Sequence, residues 1–296
     1  MGQIVRVVNG GGQPAIKAVE LFLKRLKGHS LGNPLASEAE GVLESLRLGL
    51  SPSLGEGKAG IAWVKIPGGS FKMGSNDGAS NEKPVHTVRV RSFYMSKTEV
   101  TVGQYRKCVE AERCTPPDSC IWGSPNWTSR PDIKEDHPIN CVDWGQARTF
   151  AKWVGANVDL PTEIEWEYAA RGGQNYQYAG SNNAGDVGWF DSNSEGGTKP
   201  VGTKQVNKYG LYDMSGNVWE WVLDEEHGSY SGAPSNGSKA WGSVPLCRQK
   251  CDIDSARRMQ RGGGWGDSAD DLRVTFRFGN SPGNRVNYLG FRLRQQ

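Results

Sequence analysis

Six cysteines and four histidines are the residues of this 296-residue chain best suited to nucleophilic or metal-binding chemistry. The cysteines are Cys108, Cys114, Cys120, Cys141, Cys247 and Cys251, and the histidines are His29, His86, His137 and His227. No two cysteines have the CxxC spacing of a zinc site, and no histidine lies near the last two. An even count in local groups predicts structural disulfides, with free buried thiols and a metal site as alternatives. Disulfides would favour an oxidising compartment or a thermophile's cytosol.

The segment from Arg261 to the last residue combines a regular frame with irregular filler. The frame is Arg261, Gly262, Gly263, Trp265, Leu272, Arg273, Arg277, Arg285, Leu289, Gly290, Phe291 and Arg292. The filler is Gly266, Asp267, Ser268, Phe276, Phe278, Gly279, Ser281, Val286 and Tyr288. The filler has neither a hydrophobic period nor a catalytic pattern. It is typical of a surface that varies on a rigid base, which indicates binding rather than catalysis.

Composition and charge narrow the class of protein. Lys and Arg number 35 against 32 Asp and Glu, and they are interspersed, so no basic patch indicates nucleic-acid binding. No run of about 18 apolar residues predicts a membrane span. The first residues, MGQIVRVVNGGGQ, lack the apolar region of a secretory signal. We therefore expect a cytosolic protein, or an exported one from which the signal has been removed.

Residues 1–58 are predicted to form a separate helical segment and linker. The residues Ile16, Val19, Leu23 and Leu26 share one helical face. A second helix is indicated by Ser37 and Glu40, a capping-box pair that precedes an apolar run. The segment is interpreted as an appendage that covers the main domain, or alternatively as a docking element for a partner.

Residues 59–296 are predicted to form one loop-rich α+β domain. Alternating residues predict short strands within 61–75 and 85–101. Helix starts are predicted at Thr101, Asp143 and Thr162, and the third helix should end at Arg171 because Gly172 follows. From Gly172 onward the sequence indicates turns, loops and short strands.

Several motifs along this domain resemble the sulfatase-modifying, formylglycine-generating enzyme family. They are IPGGSFKMGS at 66–75, EVTVGQY at 99–105, HPINCVDWGQA at 137–147, LPTEIEWEYAARGG at 160–173, YGLYDMSGNVWEW at 209–221, RGGGW at 261–265 and LGFRL at 289–293. The resemblance covers roughly residues 60–296. It implies a C-type-lectin-like α+β fold with long loops.

The resemblance also implies a structural calcium ion in the segment 209–221. Its ligands would be the side chains of Asp213 and Glu220 and the carbonyls of Gly216 and Val218. Turns at the glycines and buried tryptophans are the alternative explanation of this segment. A second calcium site of the family would fall near Asn193, where the expected acid is absent.

Catalysis in the resembled enzymes uses two cysteines in the final segment, which bind copper(I) and engage a substrate cysteine. Aligned on RGGGW and LGFRL, this chain has Asp267 and Leu272 at those positions. The related iron-dependent sulfur oxidases use histidines that this chain lacks. We therefore expect no copper and no catalysis of the family's type.

A non-catalytic branch with the same fold consists of the variable proteins of diversity-generating retroelements. There, randomised adenines convert AAC codons to NNC codons, which exclude Lys, Glu, Gln, Met and Trp. The filler residues of region 264–288 are all among the amino acids that NNC codons can encode. The predicted ligand-binding positions are Gly264, Gly266, Asp267, Ser268, Asp271, Phe276, Phe278, Gly279, Asn280, Ser281, Gly283, Val286, Asn287 and Tyr288.

The resemblance thus predicts a rigid scaffold that displays diversified residues at solvent-facing positions. Exposed Phe276, Phe278 and Tyr288 would anchor a protein or other macromolecular ligand, unless these rings belong to the core. The frame arginines Arg273 and Arg277, together with Arg292, are expected to donate to loop carbonyls rather than to bind an anion. The alternatives are an enzyme or accessory protein of the family with non-standard chemistry, and a module whose residues 1–58 dock a partner.

Overall fold

The strands of the protein form three small sheets joined by long loops. This computed structural model describes residues 59–117, 119–127, 134–237, 239–245 and 256–296. The predicted helices of residues 1–58, and Cys247 and Cys251, lie outside the described residues. In chain order the strands are β1 (Trp63–Ile66), β2 (Gly69–Met73), β3 (His86–Val90), β4 (Phe93–Ser96), β5 (Val158–Asp159), β6 (Trp219–Glu225), β7 (Arg258–Arg261), β8 (Arg277–Asn280), β9 (Leu289–Gly290) and β10 (Arg294–Gln295).

The sheets pair strands that are far apart in sequence. One sheet has the order β1-β4-β10-β5, and another has the order β8-β7-β6-β9, in which β6 and β9 run parallel. Strands β2 and β3 form an antiparallel pair. The predicted strand pair within 61–75 is confirmed, but β1 and β2 bind to different partners rather than to each other. The described residues from Ile61 onward form one compact unit.

Helix starts follow the local capping chemistry that the sequence predicts. The helices are α1 (Val102–Glu110), α2 (Trp144–Val154), α3 (Glu163–Arg171) and α4 (Ala184–Val187), with short 3-10 helices at Ser80–Glu82 and Ala269–Leu272. The capping side chains of Thr101, Asp143 and Thr162 each accept the backbone N–H three residues later. Helix α3 ends where Gly172 adopts a left-handed conformation with φ of 59°. All three predicted starts are confirmed.

Helix α3 lies at the centre of the main core and supports the sheet that ends the chain. It packs against β2, β3, β6 and β7. Its Trp166 is fully buried with Met214 and Val222, and its first residue, Glu163, faces the final segment of the chain. None of the helices in the described ranges is both long and apolar enough to cross a membrane.

Candidate functional site

The final segment forms a surface centred on β8. Phe276 and Phe278 lie on either side of Arg277, so the two rings face one way and the guanidinium faces the other. Both rings pack on Trp219 of β6, with ring centroids 6.0 and 6.1 Å apart. Phe278 remains 50% exposed although it rests on this buried tryptophan. The arrangement presents an aromatic side chain to solvent from a supported strand.

The predicted binding positions differ in exposure. Gly266, Ser268, Phe278, Ser281 and Gly283 are exposed, and Asp267, Asp271, Phe276, Asn287 and Tyr288 are partly buried. The remaining four, Gly264, Gly279, Asn280 and Val286, are buried. Exposure of the whole set, which we expected, is therefore wrong for these four. At Gly266 and Gly283, by contrast, an added Cβ would meet no atom within 4 Å.

Close contacts explain why the four positions are buried. A Cβ on Gly279 would collide with the carboxylate of Glu226, and a Cβ on Gly264 would lie 3.2 Å from Trp219 Cδ1. The carbonyl of Val286 accepts the N–H of Cys141. Asn280 Nδ2 donates to Gln260 Oε1 at 3.3 Å. A change of side chain at these positions would therefore alter the packing as well as the binding of any ligand.

Asp267 and Leu272, which we expect at the positions of the family's catalytic cysteines, have structural roles here. Asp267 Oδ2 accepts from Trp219 Nε1 at 2.6 Å and from the N–H of Gly264 at 2.8 Å. Burial raises the pKa of this carboxyl above its ordinary value, and the two hydrogen bonds oppose the shift. Leu272 is fully buried in a small apolar cluster with Tyr178 and Val187. Neither side chain can supply a thiolate.

Arg273, Arg277 and Arg292 each donate to a carbonyl, as expected, but each also pairs with a glutamate that the sequence did not indicate. Arg277 Nε and Nη2 donate to Glu163 Oε1 and Oε2 at 2.7 and 2.6 Å. The other pairs are Arg273 with Glu82, and Arg292 with Glu220. The carbonyls are those of Asn81, His227, Asp270, Ser96 and Tyr212. Since Glu82, Glu163 and Glu220 are buried, the pairs neutralise charge inside the scaffold.

Glu220 does not fit the role of a calcium ligand in this arrangement. Its two oxygens accept from Arg292 at 2.7 Å each, and Oε2 also accepts from Trp166 Nε1. A guanidinium at this distance repels a cation. Asp213 is better suited, because its buried Oδ1 has no hydrogen-bond partner among the described residues. No metal-binding group of three side chains occurs in the described part of the chain.

A buried acid beside this pair was not predicted from the sequence. Glu99 is fully buried and accepts from the N–H of Val218 at 3.2 Å. Burial raises its pKa well above the ordinary value, and the charges of Asp213 and Glu220 raise it further. The sequence signal available for Glu99 was its position two residues before the capping residue Thr101. Its hydrogen-bond partner, Val218, lies more than one hundred residues away.

A loop held by a disulfide lies beside the final segment. Disulfides join Cys108 to Cys114 and Cys120 to Cys141, which confirms the prediction for these four cysteines. Ile121 and Trp122, which follow Cys120 in the sequence, are 60% and 69% exposed. Trp122 forms a parallel bridge with Val286, and the N–H of Ile121 donates to the carbonyl of Arg285 at 2.6 Å. Sequence reasoning missed this exposed pair.

Comparisons with known proteins agree with the motifs and the fold. The sulfatase-modifying factor enzyme 1-like domain matches residues 56–296. The formylglycine-generating enzyme of Streptomyces coelicolor is 32% identical over 286 residues, covering 77% of this chain and 87% of that protein. The inactive C-alpha-formylglycine-generating enzyme 2 of Bos taurus is 31% identical, with 84% of this chain and 92% of the relative covered.

A solved structure supports the same assignment. Treponema denticola variable protein 1 has a TM-score of 0.62 and 27% identity, covering 79% of this chain and 95% of that chain. The fold is therefore the C-type-lectin-like α+β fold of the formylglycine-generating type, as predicted. With the family's domain matched over residues 56–296 and relatives above 30% identity along most of their length, the chain belongs to the sulfatase-modifying factor family of formylglycine-generating enzymes and their homologues.

Proposed function

We propose that this protein is a non-catalytic, ligand-binding variable protein whose final segment carries diversified residues. The observation that carries the proposal is the exposure of Phe278. Its side chain is 50% exposed, and it lies next to Arg277, which is anchored in the core. A strand that is held by Arg277 can change its outward residues without changing the fold. Such a surface suits a protein or other macromolecular ligand, because exposed rigid aromatics are effective anchors.

Two further observations support binding rather than catalysis. By the motif alignment, Asp267 and Leu272 stand where the family's chemistry requires two thiols, and both side chains serve the local packing. The family also contains a homologue described as inactive, and the Treponema relative is described as a variable protein. The exposed positions Gly266, Ser268, Phe278, Ser281 and Gly283 would make first contact with the ligand.

An enzyme of the family with non-standard chemistry is the second candidate. The Streptomyces coelicolor relative supports it, because that protein is described as a formylglycine-generating enzyme. Metal content and oxygen consumption would distinguish this candidate from a binder. A third candidate is a module whose residues 1–58 dock a partner, and it predicts that removal of those residues abolishes an interaction.

The deciding experiment is to sequence the source genome around this gene. We expect a near-copy of the DNA that encodes residues 261–293, beside a reverse-transcriptase gene. The copy should differ only where it carries adenine. A genome with neither a copy nor a reverse transcriptase nearby would overturn the proposal.

A further inference from the structure

A polar cavity of about 660 Å³ lies beside the predicted variable positions and uses different residues. Residues from three segments line it: 74–79 after β2, 171–182 from the last residue of α3 onward, and Asp270 with 273–275 before β8. Its volume lies in the range of small-molecule sites. The lining is mostly polar, which disfavours an apolar ligand.

The three loops are joined by direct hydrogen bonds, so the cavity is preformed. Arg171 Nη2 donates to the carbonyl of Gly74 at 3.0 Å, which joins the second loop to the first. The N–H of Val274 donates to the carbonyl of Gln177 at 3.0 Å, which joins the third loop to the second. Arg273 pairs with Glu82 through both terminal nitrogens, at 2.9 and 3.0 Å. A ligand would therefore bind without a large cost for ordering the loops.

The charges in the lining argue against an anionic ligand. Arg171 and Arg273 are neutralised by the buried carboxylates of Glu167 and Glu82. Asp77 and Asp270 also line the cavity, and neither carboxylate has a hydrogen bond or ion pair among the described residues. An anion would meet these unpaired carboxylates, because both guanidinium groups already have carboxylate partners. A neutral ligand with hydroxyl groups avoids this cost and can donate to the carboxylates.

The remaining groups match a ligand that carries many hydroxyls. Each hydroxyl both donates and accepts, so it needs donors and acceptors side by side. Asn175 and Asn182 supply amides, Asp77 supplies an acceptor, and Arg171 Nη1 makes no hydrogen bond to the described residues and can donate. Tyr176 is 38% exposed, and its ring offers an apolar face to C–H groups.

We propose that this cavity is a binding site for an uncharged polyhydroxylated ligand of the carbohydrate class, separate from the variable positions around β8. The juxtaposition that supports it is an exposed aromatic ring among amides, acceptor-only carboxylates and neutralised guanidinium groups. Asn175, Tyr176 and Asn182 lie outside region 264–288, and the lining residues within that region, Asp270 and 273–275, are not among the predicted variable positions.

The test is a glycan array probed with the full chain, covering neutral, sialylated and sulfated oligosaccharides, followed by calorimetric titration of the strongest neutral hit. We expect neutral glycans to bind, and both Tyr176→Ala and Asn175→Ala to weaken binding at least tenfold. Trp122→Ala is the control, since it removes an exposed ring that does not line the cavity. It should leave glycan affinity unchanged within twofold.

Three results would overturn the assignment. They are an array without any neutral hit, a hit series confined to sialylated or sulfated glycans, and a loss of glycan binding in Trp122→Ala but not in Tyr176→Ala. Thermal unfolding of each variant distinguishes loss of the site from loss of fold, and Asn175→Ala, at an exposed position, provides an independent readout. None of these results bears on the genomic test of the proposed function.

Discussion

Arg277 of β8 and Glu163 at the start of α3 form a buried two-pronged ion pair, although 114 residues separate them in sequence. Arg277 Nε and Nη2 lie 2.7 and 2.6 Å from the two carboxylate oxygens. Arg261 approaches the same carboxylate, with Nη1 at 3.3 Å from Oε1. The pair fixes β8 to the central helix, so the neighbouring residues Phe276 and Phe278 project from a strand that is anchored in the core.

We predict that Arg277→Ala destabilises the fold far more than Phe278→Ala. Loss of Arg277 leaves the Glu163 carboxylate buried with a weaker partner, which should cost about 3 kcal/mol of unfolding free energy. Phe278 is half exposed, so its truncation should change stability by less than about 1 kcal/mol. Urea unfolding of both variants measures the difference. Equal losses would show that β8 is not anchored by this pair.

We predict that two libraries of equal size will differ in folding yield. One library varies the exposed positions Gly266, Ser268, Phe278, Ser281 and Gly283. The other library varies the buried positions Gly264, Gly279, Asn280 and Val286. Because an added side chain at Gly264 would press on Trp219 and on the carbonyl of Tyr288, and because Asn280 and Val286 are buried, a smaller fraction of the second library should fold. Protease resistance on a display platform gives the yield. Similar survival in both libraries would contradict the exposure argument.

We predict that Asp224 lowers stability as the pH rises from about 4 to about 7. Burial, followed by the charge of Glu163, raises its pKa from 3.8 to about 7. The native state therefore keeps a proton that the unfolded chain has already lost, so the contribution is full below pH 3.8 and disappears above pH 7. The shift corresponds to roughly 4 kcal/mol.

The measurement compares wild type with Asp224→Asn by chemical unfolding at pH 4 and pH 8. Asparagine does not titrate in this range, so the unfolding free energy of the variant should rise relative to that of wild type from pH 4 to pH 8. The absolute cost of the substitution cancels in this comparison. A pH-independent difference would refute the raised pKa.

We predict no copper-dependent oxidation by this chain. Asp267 and Leu272 cannot bind copper(I), and the second of these side chains is fully buried. Oxygen consumption with copper and a cysteine-containing peptide should match the rate without protein. The formylglycine-generating enzyme of Streptomyces coelicolor serves as the positive control. Turnover above background would favour the enzymatic alternative.

We predict that calcium has little effect on thermal stability. Both oxygens of Glu220 are used by Arg292, so calcium binding through this residue would require a buried ion pair to break. The melting temperature in millimolar calcium chloride and in excess chelator should agree within about 2 °C. A larger calcium-dependent increase that disappears in Asp213→Asn would establish the site that the family resemblance implies.

Local chemistry explains why parts of this fold could be predicted. Thr101, Asp143 and Thr162 cap helices by contacts with residues three positions later, so each signal lies within a few letters of sequence. Gly172 ends α3 for the same local reason. The family motifs added the fold class that periodicity alone does not provide.

The site was harder to predict because its determinants are distant in sequence. The pairing of Glu220 with Arg292 spans 72 residues, and no local pattern indicates it. Val286 is apolar in a polar segment, yet its burial depends on Trp122 from a loop that the disulfide of Cys120 positions. Burial at Gly279 depends on Glu226, a residue on another part of the chain. The codon argument places all filler positions in one class, whereas the structure buries some of them and exposes others.

Strand β10 makes the first sheet depend on residues that follow region 264–288. It follows the variable segment and lies between β4 and β5, where Arg294 pairs with Met95 and with Asp159. A chain that stops within 264–288 would therefore lose the strand that joins these two parts of the first sheet. Such a product should fail to fold rather than display an altered surface. Folding of this domain therefore depends on residues that follow the proposed variable segment.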